Sequence, residues 1–181
     1  MSKIIVGDNY IAAATGGSLI LTSLRTTQGS DILVNSPATV IAEYIIQTLA
    51  LMTRPSVQGN WPLYVASMPD GDNVETNVGA VYDTLGIKDG RLMIGSMIQH
   101  YGMQIRIRSR EYNEGFEKIE DIVSDLDAVL NQTIEISPLE YEILNVSRTS
   151  PIVPLGLERD STKRRFLFTT NFLATIKELT G

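Results

Sequence analysis

Apolar residues recur at helical spacing in two stretches of this chain. After Ser36-Pro37, the residues Ile41, Tyr44, Ile45, Leu49 and Met52 fall on one face of a helix. Ser36 is suited to accept a hydrogen bond from the orphan amides as N-cap, and Pro37 is preorganised for the first helical position. Pro55 and Gly59 stop the pattern. The spacing predicts a second helix from about Glu111 to Asn131, with Phe116, Ile119, Val123, Leu126 and Leu130 as its buried stripe. Its outer face carries Glu114, Glu117, Lys118, Glu120, Asp121, Asp125 and Asp127, and is strongly acidic.

Between the helices the pattern changes to strands. Trp61-Pro62 leads into the apolar run Leu63–Met68, which ends at Pro69, and Asp70, Gly71, Asp72 and Asn73 supply a polar turn. Ala80–Leu85 reads as a second strand and Tyr101–Arg110 as a third. In the third, Met103, Ile105 and Ile107 point one way and Gln104, Arg106 and Arg108 the other. The intervening Gly86–Gly102 holds the turn Lys88-Asp89-Gly90 with Arg91, and glycines at 95 and 102; a span of that length is expected to project. After the second helix come strands at Thr133–Ile136 and Tyr141–Arg148, a loop with Pro151 and Pro154, and a long strand Arg164–Ile176. Phe166, Phe168 and Phe172 share one face of that last strand and are expected to pack on the helices. Helix, three strands, helix, then strands with short connections predict an α+β fold. The sheet is expected to be mixed and mainly antiparallel, with both main helices on one side.

Residues 1–35 differ from the rest. They are rich in Gly, Ser, Thr and Asn, with short apolar runs at Ile4–Val6, Leu19–Leu24 and Ile32–Val34 that follow neither period. Two readings stand together: an extended arm that forms strands against a partner, or a hairpin on the same domain. Residues 36–181 make the main domain.

Composition narrows the function. A chain of 181 residues with 43% hydrophobic residues can bury a core without staples. It has no cysteine, which removes disulfides, thiolate nucleophiles and thiolate metal cages. The net charge of −6 disfavours wrapping of nucleic acid, whose phosphates are bound by lysine and arginine. The most apolar early stretch, Ile11–Leu24, is too interrupted by Thr, Gly and Ser to span a bilayer and lacks a basic leader, so synthesis in the cytoplasm is expected.

Catalytic constellations are sparse. His100 is the one histidine, and no Gly-x-Ser-x-Gly elbow or phosphate-binding glycine loop accompanies it. Asp70, Asp72 and Glu75 do not match the spacing of a calcium loop. Glu117 and Asp121 stand one helical turn apart on the polar face, away from the apolar surroundings an acid-base pair needs. No cofactor or metal is expected. Arg106, Arg108 and Arg110 form a basic ladder, with Arg164 and Arg165 in the last strand. They can pair within the chain, or face the helix carboxylates of a neighbouring subunit and set its orientation.

From Ala42 onward the chain resembles the tail-terminator proteins of tailed bacteriophages, also described as minor capsid or tail completion proteins. The resemblance begins in the helix Ile41–Met52. It continues through Trp61-Pro62-Leu63-Tyr64-Val65-Ala66-Ser67-Met68-Pro69, Val81-Tyr82-Asp83-Thr84 and Gly86-Ile87-Lys88-Asp89-Gly90-Arg91. His100-Tyr101-Gly102-Met103-Gln104-Ile105-Arg106-Ile107-Arg108-Ser109-Arg110 follows. Then come Asn145-Val146-Ser147-Arg148-Thr149, Pro151-Ile152, Pro154-Leu155-Gly156 and the final strand with Arg164-Arg165. Residues 1–35 lie outside it.

The resemblance implies a small α/β fold that forms a ring, usually of six, capping the tail tube at the junction with the head. Its expected partners are copies of itself, the tail tube protein and the head-completion or connector proteins, with genomic DNA passing through the lumen without specific binding. It implies a virion protein with no catalytic residues. A head-closure or connector subunit of the neck is the neighbouring alternative. Candidate interface residues are Arg106, Arg108, Arg110, Glu117, Asp121, Lys88, Asp89 and Arg91.

Overall fold

The computed structural model describes residues 3–7, 10–15, 18–23, 33–55, 61–70, 76–91, 97–160 and 163–179. The three N-terminal strands and residues 90–91, 97–98, 158–160 and 163 are described as backbone alone. Of the positions singled out in the sequence, Leu24, Ile32, Gly59, Gly71, Asp72, Asn73, Glu75 and Gly95 lie outside the described residues. The chain divides into two units, Met1–Ile32 and Leu33–Gly181. In the first, β1 (Lys3–Gly7), β2 (Tyr10–Thr15) and β3 (Ser18–Ser23) form an antiparallel sheet in that order. Within the stretch read as an arm or a hairpin, the described residues thus form a three-stranded meander.

Ser36 caps the first helix of the second unit, α1 (Pro37–Gln47): its Oγ accepts from the Thr39 amide at 3.2 Å, and Pro37 opens the helix. The helix stops at Thr48, earlier than the expected Met52, because Ala50 adopts a left-handed φ of 52°. Met52 still reaches the core beyond that bend. Next comes β4 (Leu63–Val65), shorter than the expected Leu63–Met68 because Ala66 takes φ 59°. It is followed by β5 (Val78–Arg91), β6 (Met97–Ser109), α2 (Tyr112–Asp127), β7 (Leu130–Ile136), β8 (Leu139–Arg148), β9 (Val153–Asp160) and β10 (Lys163–Leu179).

These strands form one seven-stranded sheet in the order β4-β5-β6-β10-β8-β7, with β9 on β10. All pairs are antiparallel except β4 on β5. The N-terminal half of β10 pairs with β9 and its C-terminal half with β8, so β8 and β9 run end to end along one edge of β10. Ser150 bridges the break: its carbonyl accepts from the Thr170 hydroxyl and its own hydroxyl accepts from the Asn171 amide. The stretch expected as a proline loop is therefore partly a strand. An edge strand tolerates Pro154, which needs no outward N–H, and Leu155 bulges out beside Gly156, whose φ is 95°.

Both helices cover one sheet face. Met103, Ile105 and Ile107 of β6 meet Phe168 and Phe172 of β10 there, together with Ile119, Ile122, Val123 and Leu126 of α2. Tyr112 and Phe116 pack edge-on against Phe168, with ring centroids 5.1 and 6.1 Å away. Leu130 departs from the expected stripe. The helix ends at Asp127, so its period no longer applies, and Leu130 opens β7 with 65% exposure. Leu33–Asn35, assigned by sequence to the N-terminal extension, belong to the second unit. The Val34 amide donates to Glu178 at 2.9 Å and the Asn35 side chain to the Tyr141 hydroxyl at 2.8 Å.

Burial pushes the Tyr44 phenol above its ordinary value of 10.0, and the nearby Asp125 carboxylate adds to the shift. The folded protein therefore holds this proton more tightly than the unfolded chain. Stability from this group is fully present below about pH 10 and is lost as pH rises through the folded value. Alkaline denaturation followed by circular dichroism should show a shallower loss above pH 10 in Tyr44→Phe than in the parent.

Candidate assembly surface

β5 and β6 continue as a two-stranded hairpin past the end of the β6–β10 ladder, which stops at His100 opposite Thr175. The expected projecting loop Gly86–Gly102 is thus strand from Gly86 to Arg91 and again from Met97. The glycines do not end the strands; they allow a bulge. A Cβ on Gly86 would overlap the His100 carbonyl, and one on Gly102 would overlap the Leu85 carbonyl. Both obstacles are backbone and cannot swing aside. Gly102→Ala is expected to cost about 1–3 kcal/mol through this overlap, read as a lowered denaturant midpoint.

A hydrogen-bonded chain ties the hairpin base across three strands. Asp89 Oδ2 on β5 lies 2.8 Å from His100 Nε2, and Thr175 Oγ1 on β10 lies 2.7 Å from His100 Nδ1. The grouping has the residue types of a hydroxyl-histidine-carboxylate triad. Thr175, however, stands in mid-strand with His100 on one side and Asn145 on the other. Its amide belongs to the sheet and not to an oxyanion hole. What the chain does physically is hold β5, β6 and β10 in register where the hairpin leaves the sheet. No group of metal-ligating side chains is present among the described residues.

Leu85 is 96% exposed and Ile87 53%, both on the outer strand of this hairpin. β4 covers β5 only along Gly79–Val81, so the edge beyond has no strand partner among the described residues. Lys88 and Asp89 are exposed on the same stretch, and Arg91 ends it. Asp83, nearer the domain, accepts from the Ala38 amide at 2.9 Å, placing its charge at the favourable end of α1.

The arginine ladder is divided by the fold. Arg108 is 2% exposed; its Nη2 donates to the Pro69 carbonyl at 2.8 Å and its Nη1 lies 3.6 Å from Asp70. Arg165, 1% exposed, bonds the same carboxylate. At this site the pairing is within the chain. Arg106 lies half-buried on the sheet face opposite the helices, donating to Gln104 at 2.7 Å and resting 5.0 Å from the Tyr82 ring centroid. Arg110 is exposed. Glu117 and Asp121 are exposed on α2, whereas Lys118, counted with them, folds back to within 5.8 Å of the Trp61 ring. The structure thus brings Lys88, Asp89 and Arg91 together on the hairpin, and leaves Arg110, Glu117 and Asp121 on the surface around α2.

Two features have no signal in the sequence. The pattern puts Leu85 in an apolar strand and Ile87 in a loop, and nothing in their types distinguishes a covered edge from an open one. Asp70 has the composition of a turn residue, and the two arginines it serves, Arg108 and Arg165, lie far along the chain. Comparison with family models and with curated proteins found no match. Among the described residues no helix is long and apolar enough to cross a membrane.

Proposed function

We propose that this chain is a structural subunit of a tailed-bacteriophage virion, a tail terminator that assembles into a ring, caps the tail tube and joins it to the head. The supporting observation is the open edge of the β5–β6 hairpin, where Leu85 and Ile87 stand exposed on a strand whose outer edge has no strand partner among the described residues. Such an edge is a hazard for a monomer and a resource for an assembling subunit. The acidic surface of α2 suits a ring whose lumen passes DNA without gripping it. Arg110, Glu117 and Asp121 are placed to set subunit orientation by charge. In this reading the subunit works by fit and carries out no chemistry; its partners are its own copies, the tail tube protein and the head-completion proteins.

Disrupting the gene and measuring tails in the lysate by electron microscopy tests this. Overlong, headless tails of variable length are expected, because nothing then ends tube growth. Tails of uniform normal length would overturn the terminator role and favour a head-closure or connector subunit.

A further inference from the structure

Arg106 begins a chain of side chains whose polarity its own chemistry fixes. A guanidinium only donates, so the Gln104 atom that meets Arg106 Nε at 2.7 Å is the amide oxygen. The Gln104 nitrogen is then turned to Asn171 and donates to its Oδ1 at 3.1 Å. Each amide oxygen already accepts within the network. What this part of the sheet face presents outward is therefore donors: the Nη groups of Arg106 and the Nδ2 hydrogens of Asn171. Arg106 has no carboxylate partner among the described residues. Asp70 serves Arg108 and Arg165, Asp89 is turned to His100, and Glu142, Glu140 and Glu135 stand beyond β10, on β8 and β7.

The second helix has the opposite imbalance. Glu117, Glu120, Asp121 and Asp125 are exposed, and none of the four has an ion pair among the described residues. Glu117 and Asp121 stand one turn apart on the side of α2 away from the buried Ile119, Ile122 and Leu126. Both helices lie on one face of the sheet and Arg106 on the other. Within one copy, then, the donors and these carboxylates cannot meet.

We propose that the sheet face around Arg106 of one copy receives the acidic outer face of α2 of a second copy, a carboxylate of Glu117 or Asp121 accepting from Arg106 and Asn171. The choice of a second copy rests on the ring reading above. A guanidinium held through Nε to Gln104 and braced 5.0 Å from the Tyr82 ring centroid keeps both Nη groups for a bidentate carboxylate. Its half-buried position weakens screening by salt relative to a fully exposed pair. A nucleic-acid phosphate fits less well, because a polyanion is held by several cations side by side, and Arg108, next along the face, is buried against Asp70. The two surfaces differ, so the contact is heterologous: each subunit gives α2 to one neighbour and its sheet face to the other, and repetition closes a ring or extends a filament.

The test uses a carbodiimide, which joins lysine to a carboxylate in direct contact through an amide bond and leaves arginine untouched. Arg106→Lys, made in the otherwise intact protein, keeps the charge and supplies the amine. Covalent dimers are expected in which the peptide around residue 106 is joined to the α2 peptide, as identified by mass spectrometry. The sheet separates the two within one copy, so this link can only join two copies. Adding Glu117→Gln and Asp121→Asn, both at exposed positions, should remove most of the product while leaving the thermal melt in place. High salt should lower the yield as well. No link from residue 106, or links from it only to carboxylates outside α2, would overturn the proposal. Duplex DNA retained by the parent and released by Arg106→Glu would also overturn it, assigning the donors to phosphate. Overlong tails on gene disruption without the link would remove this contact and leave the terminator role standing. The link together with tails of normal length would do the reverse.

Discussion

Arg108→Glu is expected to abolish cooperative folding of the second unit. Arg108 is 2% exposed, and its guanidinium reaches the Pro69 carbonyl and shares Asp70 with the equally buried Arg165. Glutamate there would place a buried carboxylate beside the carboxylate of Asp70 and remove the donor that ties down residues 69–70. Asp70 is itself half exposed, so the cost falls on burying the new carboxylate, several kcal/mol. That cost, with like-charge repulsion added, is comparable to the roughly 5–15 kcal/mol that holds a domain folded. Arg106→Glu is the control. Arg106 loses one hydrogen bond and its place over Tyr82, a cost of about 1–2 kcal/mol. Thermal melts should show no transition for Arg108→Glu and a modestly lowered one for Arg106→Glu. Equal melts for the two would show that the burial of Arg108 has no energetic weight.

This contrast marks what alternation along a strand conveys. Gln104, Arg106 and Arg108 do share the sheet face opposite Ile105 and Ile107, as the period of two requires. The period does not say what covers that face. At Arg108 residues 69–70 close over it, at Arg106 Tyr82 does so partly, and at Arg110 the strand has ended. Three arginines of one pattern thus meet three environments. The cause lies more than thirty residues away, at Asp70, and local spacing carries no trace of it.

The elements themselves were legible where local chemistry decides them. Ser36-Pro37 begins α1 because both residues act within the first turn. The α+β class follows from the order of periods, and Phe168 and Phe172 face the helices because their spacing leaves them no other face. Legibility fails where glycine and proline serve pairing instead of turning. Gly86 and Gly102 read as loop, yet they let two backbones approach closely in a bulged hairpin. Pro154 reads as loop, yet it sits opposite Phe168 on an edge strand. The candidate surface was half legible for the same reason. Lys88, Asp89 and Arg91 stood out by type, while the open edge that gives them meaning, with Leu85 and Ile87 exposed, exists only once β4 is seen to stop at Val65.

Phe168→Ala should give the largest loss among substitutions that keep every charge in place. The ring is fully buried at the junction of α2 with the sheet. Tyr112 and Phe116 press on it from the helix, and Gly115 lies so close that a Cβ there would come within 2.7 Å of the ring. No neighbour is small and mobile enough to fill the space it would leave: Ile107 opposes it in the ladder, and Gly115 has no side chain to extend. Truncating a buried phenylalanine costs about 3–5 kcal/mol. In a unit of this size that corresponds to a melting-temperature drop on the order of 10 °C. Because the helix rests on this ring, the loss should be accompanied by faster amide exchange along Tyr112–Phe116, while the β5–β6 hairpin keeps its protection. Exchange that quickened equally in the hairpin would mean that the two ends of the sheet unfold as one, and that the hairpin has no stability of its own to offer a partner.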